Sequence, residues 1–161
     1  PFGREMGIAR KIELTVDGRA HPLYAEKKSV FDAFISHDDE ITHLPPGALC
    51  LASNSYTRVQ AVSITHQGGV MWAVQYHPEY DLHELARLMH CRTEKLIKLG
   101  FFRSSSDAAN YIQRLELLHQ SPERKDPAWQ LGIDSDVINP DVRQIEVRNW
   151  IRHLVIPNQK H

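Results

Sequence analysis

The chain has 161 residues, enough for a domain of ordinary size with its own core, and 42% of them are apolar, which is a globular rather than a disordered composition. Nineteen basic residues stand against twenty acidic ones, and a net charge near −1 excludes a general electrostatic attraction to nucleic acid or to an anionic membrane. No apolar run reaches transmembrane length, and Cys50 and Cys91 are too few for a disulfide framework, so a reducing, cytoplasmic setting is expected.

Gly7 to Val16 opens the chain's pattern: Ile12, Leu14 and Val16 alternate with Glu13 and Thr15, as in a half-buried strand. Asp17-Gly18 reads as a tight turn, and His21 to Tyr24 as a return strand or a loop. A strand over Ala33 to Ser36 runs into the polar cluster His37-Asp38-Asp39-Glu40. Loops at strand ends are where α/β proteins place chemistry, although such a cluster alone is more simply a turn with a helix cap. Leu44-Pro45-Pro46-Gly47 is a turn by composition, and Ala48 to Ala52 is a short buried strand with Cys50 in its middle. Val59 to Ile64 alternates again. Gln67-Gly68-Gly69 reads as a hairpin loop, and the strand Val70 to Tyr76 returns antiparallel to it.

That strand ends in His77-Pro78-Glu79. Proline holds the residue before it extended, and residues two apart in an extended chain point the same way. His77 and Glu79 are therefore expected side by side. A carboxylate beside an imidazole fixes the ring's tautomer and stabilises the imidazolium when the ring takes a proton. Asp81, with Glu84 three residues on, is a capping-box start for a helix marked by Leu85, Leu88, Met89 and Leu96 that stops at Gly100. Ser106-Asp107 caps a second helix with Ala108, Tyr111, Ile112, Leu115 and Leu118 on one face. Residues 121–127 read as a charged linker. Asn139-Pro140-Asp141 starts a third helix, with Val142, Ile145, Asn149, Ile151 and Leu154 on its buried side.

Ser36-His37-Asp38-Asp39, then Leu44-Pro45-Pro46-Gly47-Ala48, then Leu51-Ala52-Ser53, and finally Val74-Gln75-Tyr76-His77-Pro78-Glu79 follow one another in an order that resembles the C-terminal half of class I glutamine amidotransferase domains, especially the GMP synthase-like kind. The resemblance covers roughly Gly3 to Leu99. It implies a flavodoxin-like three-layer α/β/α domain with a mixed sheet, of which residues 1–100 would be the C-terminal half. Residues 101–161 would be a helical extension packing on the domain or on a partner. It also implies hydrolysis of the glutamine side-chain amide through a cysteine thioester, with ammonia passed to an acceptor domain or a synthetase partner, and no cofactor or metal. By the matching motif, His77 would be the general base and acid and Glu79 its orienting partner. The turn Ser36, His37, Asp38 and Asp39 would bind the substrate, with the main chain at Asp38 and Asp39 holding its α-amino and α-carboxylate groups.

The family's nucleophile sits on a Gly-x-Cys-x-Gly turn, and no such sequence occurs here. Cys50 in a strand and Cys91 in a helix lack the exposed, electropositive setting of a reactive thiol. The chain by itself is therefore expected to be inactive. It reads as a fragment of a complete enzyme with an incomplete sheet, its edge covered by further polypeptide or by a second copy in a homo-oligomer. Three other readings stand beside this one. A metal site would use His77, Glu79, His83 or His90, but His83 and His90 are seven apart and do not share the i, i+4 face a helical metal pair uses. A γ-glutamyl hydrolase-like enzyme of the same superfamily would cleave related amides without feeding ammonia onward. A non-catalytic module would keep the fold and bind a partner through its helical tail.

Overall fold

In the computed structural model, which describes residues 5–159, the first half is a five-stranded sheet. The strands are β1 (Glu5–Leu14), β2 (Val30–His37), β3 (Leu49–Ser53), β4 (Ala61–His66) and β5 (Gly69–Val74), in the order β2-β1-β3-β4-β5. Every pairing among them is antiparallel. The α/β class expected from sequence is what forms. The parallel strands of a mixed sheet are not among the described residues, where every pairing is antiparallel.

Each strand follows from its residues. The β4–β5 hairpin turns on Gln67 and Gly68, both at positive φ (48° and 79°), a combination that matches the twist of the flanking strands. β1 carries a bulge between Ala9 and Ile12, where Lys11 takes φ 49°. Asp32 supports the bulge, accepting from the Lys11 main chain at 2.8 Å and from the Arg10 guanidinium at 2.7 Å. The kink lets one strand pair with β2 along most of its length and with β3 at Glu13 and Leu14.

Where a tight turn at Asp17-Gly18 was expected, a short helix forms: α1 (Val16–Ala20), capped by the Thr15 hydroxyl accepting from Gly18 N. A Cβ on Gly18 would lie 1.9 Å from the Leu51 carbonyl oxygen, so only glycine lets this helix approach β3. Pro22–Tyr24 is a 3-10 turn rather than a return strand. The core beneath the sheet gathers Ile12, Leu14, Leu23, Tyr24, Phe31, Ile35, Leu51 and Tyr76. Full burial of each large apolar side chain is worth about 1.5–3 kcal/mol.

The chain forms two compact units. Among the described residues, the first takes in 5–79 together with 139–159, and the second is Tyr80–Ile138. The first is completed by α7 (Pro140–Arg143) and α8 (Ile145–Trp150), and the helix runs on as a π turn over Ile151–Val155 and a last short turn at Ile156–Asn158. Asn139 caps α7, as expected. Asn149 is buried, as read in the sequence, but the rest of the buried face differs: Arg143 and Glu146 are buried, whereas Ile151 is exposed. Asn149 donates to the Leu23 and Ala25 carbonyls at 3.0 and 2.8 Å, and Lys27 and Glu146 form an ion pair of 3.0 Å with both side chains 2% exposed. Polar residues can line this interface because each finds a partner there.

The second unit is helical. α2 (Leu82–Cys91) starts at the predicted capping box, with the Asp81 side chain accepting from Glu84 N and the Glu84 carboxylate accepting from Asp81 N, each at 2.8 Å. The expected single helix to Gly100 breaks at Arg92, and α3 (Thr93–Lys98) follows. α4 (Ser105–Gln120) is capped by Ser104, two residues before the expected Ser106. α5 (Lys125–Leu131) and α6 (Ser135–Ile138) close the unit, and α5 takes up residues read as linker. Leu85, Met89, Leu96, Ala108, Leu115 and Leu118 are buried in it, much as their spacing predicts.

Candidate active site

After β5 the chain makes two main-chain bonds that place the tripeptide. Gln75 N donates to Gln60 O, and His77 N donates to Phe34 O, each at 2.8 Å. Phe34 lies in β2, at the opposite edge of the sheet, so this bond ties the segment that follows β5 to the far edge strand. Three residues further along β2 is His37, a span of about 10 Å in a strand. The exit of β5 and the Ser36–Asp39 turn thus belong to the same end of one sheet.

Between those bonds Tyr76 points into the core, 2% exposed, with its ring edge-on to Phe31 at 5.5 Å. Its hydroxyl donates to Glu146 Oε1 at 2.7 Å and lies 2.9 Å from the Tyr24 hydroxyl. Burial pushes both phenols up, so both keep their protons for these bonds. Tyr76, the residue that precedes His77, is therefore anchored in the core.

His77 Nδ1 lies 2.7 Å from Glu79 Oε1. The two side chains are adjacent, as expected, although the intervening Pro78 is buried and Pro78-Glu79 forms a turn instead of prolonging the strand. A carboxylate only accepts, so the ring donates from Nδ1, and Nε2 is the basic nitrogen of the neutral ring. The side chains are 27% and 58% exposed. A polar contact so open to water contributes at most about 1 kcal/mol to stability. Its effect is orientation: the contact holds one ring nitrogen and with it the plane of the ring. On one flank is a cleft of about 270 Å³ lined by Trp72, Val74, Pro78, Glu79, Val147 and Trp150 among others.

The four residues of the second motif separate in character. Ser36 is half-buried and pairs with Met6 of β1, and Asp38 and Asp39 are exposed beyond the strand end. His37 is only 9% exposed. Its Nδ1 lies 2.8 Å from the Asp39 carbonyl and its Nε2 lies 3.0 Å from Glu5 Oε2. Glu5 also accepts from Thr57 Oγ1 (2.8 Å), Gln60 Nε2 (3.3 Å) and Asn54 Nδ2 (3.3 Å). The sequence reading missed this cluster. Its one visible sign is an acidic residue, Glu5, just before the run Met6-Gly7-Ile8-Ala9.

Cys50, read as a packed core residue, is half-buried in β3, and its thiol donates to the Ala52 carbonyl at 3.5 Å. Burial pushes that thiol up, away from the thiolate a nucleophile needs. Cys91 is exposed, contrary to the sequence reading, because it is the last residue of α2, in the second unit. Among the described residues no three His, Cys, Asp or Glu side chains gather closely enough to hold a metal ion, and no helix is long and apolar enough to cross a membrane. His83, considered above as a ligand, pairs instead with Glu116 at 2.9 Å, a surface contact between α2 and α4.

The chain is similar to known proteins in both sequence and fold. It is 32% identical over 158 residues to the gamma-glutamyl-L-1-hydroxyisopropylamide hydrolase of a Pseudomonas species, a match covering 97% of this chain and 52% of that protein. The chain thus spans about half the length of the curated relative it matches. A glutamine amidotransferase from Thermotoga maritima shares its fold with a TM-score of 0.51 at 17% identity, over 90% of this chain and 51% of that one. The sequence model of the family described as "Glutamine amidotransferase class-I" matches residues 3–90, more than half the chain and the whole stretch from the sheet through the His77–Glu79 pair to α2. On that match, the chain belongs to the class I glutamine amidotransferase family.

Proposed function

We propose that this chain supplies the proton-transfer half of a cysteine-dependent hydrolysis of a glutamyl side-chain amide. The observation that carries the reading is the 2.7 Å contact between His77 and Glu79, at a strand exit bonded to the strand that bears Ser36–Asp39. In the reaction, Nε2 of His77 takes the proton of a thiol as the sulfur attacks the amide carbonyl. It then gives that proton to the departing nitrogen and next activates the water that clears the thioester. Glu79 holds Nδ1 and stabilises the imidazolium between these steps. The turn of Ser36, His37, Asp38 and Asp39 is the substrate side, with the main chain of Asp38 and Asp39 holding the α-amino and α-carboxylate groups of glutamine. Burial disfavours the Cys50 thiolate, and neither Cys50 nor Cys91 sits on a Gly-x-Cys-x-Gly turn, so in this reading the thiol is one that these 161 residues do not supply. The chain alone is then inactive. In this reading residues 1–100 are the C-terminal half of a GMP synthase-like amidotransferase domain, 101–161 are a helical extension, the setting is cytoplasmic, and the ammonia passes to an acceptor domain or a synthetase partner.

A second reading is favoured by the 32% identical relative, whose name describes hydrolysis of a γ-glutamyl amide of a hydroxylated alkylamine. The same His77–Glu79 chemistry serves it, with an amine as the leaving group and no acceptor. One assay addresses both. The full-length gene product is given glutamine and, separately, a γ-glutamyl alkylamide, with and without His77→Ala. Removing the general base should cost about 10²–10⁴-fold in turnover. Unchanged turnover would remove His77 from the mechanism, and preference for the alkylamide would favour the second reading.

A further inference from the structure

The cleft of about 270 Å³ beside the His77–Glu79 pair lies wholly within the first unit. Small-molecule sites usually run about 300–1,000 Å³, so a space of this size suits a ligand of few heavy atoms rather than a peptide. Its lining combines two kinds of side chain. Trp72 of β5 and Trp150 of α8 line it with apolar neighbours, and two carboxylates, Glu79 and Glu146, complete it. None of the described residues lining the cleft is basic. The two carboxylates differ in what they can still accept. Glu146 is buried and its charge is answered: Lys27 lies 3.0 Å from Oε2, and the Tyr76 hydroxyl donates to Oε1 at 2.7 Å. The Glu79 side chain is 58% exposed. His77 lies 2.7 Å from its Oε1, and its Oε2 has no hydrogen bond among the described residues. The walls do not wait for a ligand to shape them. The Trp72 ring stands edge-on to His21, with centroids 4.7 Å apart and planes at 73°, and Pro78 is buried with its φ fixed by the pyrrolidine ring.

An indole attracts a cation through the negative face of its ring, more strongly than any other aromatic side chain, and a carboxylate makes a short, charge-assisted hydrogen bond with an ammonium group. An aliphatic group beside that nitrogen gains by leaving water for apolar walls. A simple metal cation would use the carboxylate and not the walls, and a neutral alcohol the walls and not the charge. An alkylammonium ion uses both. We propose that this cleft binds a small alkylammonium ion, with its nitrogen on Glu79 Oε2 and its alkyl group against Trp72 and Trp150. The occupant then shares a carboxylate with His77. On the reading given above, in which that pair transfers protons, an occupant competes for the group that orients the ring, and turnover falls as the cleft fills. The amine released from a γ-glutamyl alkylamide is an ion of this class and acts as a product inhibitor, whereas the ammonium released from glutamine has no alkyl group for the walls to hold.

Isopropylammonium chloride, titrated into the 161-residue chain at constant ionic strength, tests this through the indole N–H signals of ¹H–¹⁵N spectra, assigned by replacing each tryptophan with phenylalanine. The signals of Trp72 and Trp150 should shift and saturate. Trp129, 82% exposed in the second unit, is the control for ions that merely stack on an open indole, and its signal should stay in place. Isopropanol has the same shape without the charge and should bind at least about 3-fold more weakly, since it forfeits both charge-dependent contacts. Trp150→Leu should weaken the ammonium roughly 2- to 5-fold, the worth of one exposed cation–π contact. Three indoles that shift alike, a shift that never saturates, or equal binding of isopropanol overturns the proposal. In the full-length gene product, isopropylammonium should slow the turnover of glutamine where sodium chloride of the same ionic strength does not. Unchanged turnover at concentrations that saturate the indole shifts overturns the link to Glu79. A product that turns over neither glutamine nor a γ-glutamyl alkylamide overturns the reading of the His77–Glu79 pair, while the indole shifts still decide the cleft.

Discussion

The Lys27–Glu146 pair makes a quantitative prediction. Both side chains are 2% exposed, their charged atoms lie 3.0 Å apart, and each has a second partner: Glu146 accepts from Tyr76 at 2.7 Å, and Lys27 donates to the Val142 carbonyl at 3.0 Å. Glu146→Leu removes the carboxylate and leaves a buried ammonium facing two carbonyls and the Phe31 ring, which lies 4.5 Å away. Breaking such a pair from one side costs about 3–5 kcal/mol, and the lost acceptor of the Tyr76 hydroxyl adds about 1–3 kcal/mol. Against a total stability of about 5–15 kcal/mol, the first unit would be close to unfolding. The double change Lys27→Met with Glu146→Leu removes both charges, and should recover most of the loss that comes from the unpaired ammonium. Urea titration followed by tryptophan fluorescence measures this in a Trp129→Phe background, since Trp72 and Trp150 both lie in the unit that carries the pair. A single variant that loses less than about 1 kcal/mol would show that the pair is hydrated and that the ion-pair argument is wrong. A double variant no better than the single one would show that shape, and not charge, dominates.

Two further outcomes follow from local geometry. Gly18→Ala would set a Cβ 1.9 Å from the Leu51 carbonyl oxygen, so α1 must move off β3, and thermal unfolding should show a loss of about 1–3 kcal/mol; an unchanged Tm would mean that the approach relaxes freely. Alkylation near neutral pH should label the exposed Cys91 well before Cys50, and the Cys50 rate should climb only at higher pH than for an ordinary thiol, because burial raises its pKa and its thiolate appears later. Mass spectrometry of time points reads both sites, and earlier labelling of Cys50 would contradict its placement.

Much of this architecture was legible because local signals agree with the fold. The Gln67-Gly68 hairpin, the Asp81–Glu84 capping box and the adjacency of His77 and Glu79 each depend on residues close in sequence, and each is present. What was not legible depends on residues far apart. Asp17-Gly18 has the composition of a turn, but Thr15 as a cap and the need to approach Leu51 make it helical. The last helix was given a buried face of apolar residues and Asn149, yet it also buries Glu146, because Lys27, more than a hundred residues earlier, receives it. A hydrophobic period cannot register a face buried by charge pairing. The same holds for Glu5, whose partners Asn54, Thr57 and Gln60 are known only once β1 and the loop after β3 have met. The motif at Ser36–Asp39 was visible. The different occupation of His37 within it was not.

The split composition of the first unit also sets a timetable for biosynthesis. Tyr76 and its acceptor Glu146 are separated by 70 positions. At a ribosomal pace of about 5–20 residues per second, the phenol emerges roughly 4–14 s before the carboxylate that will receive it. For that interval the nascent sheet has its tyrosine hydroxyls and the Lys27 ammonium but not the segment that seals them. Holdase chaperones and proteases have those seconds in which to compete for it.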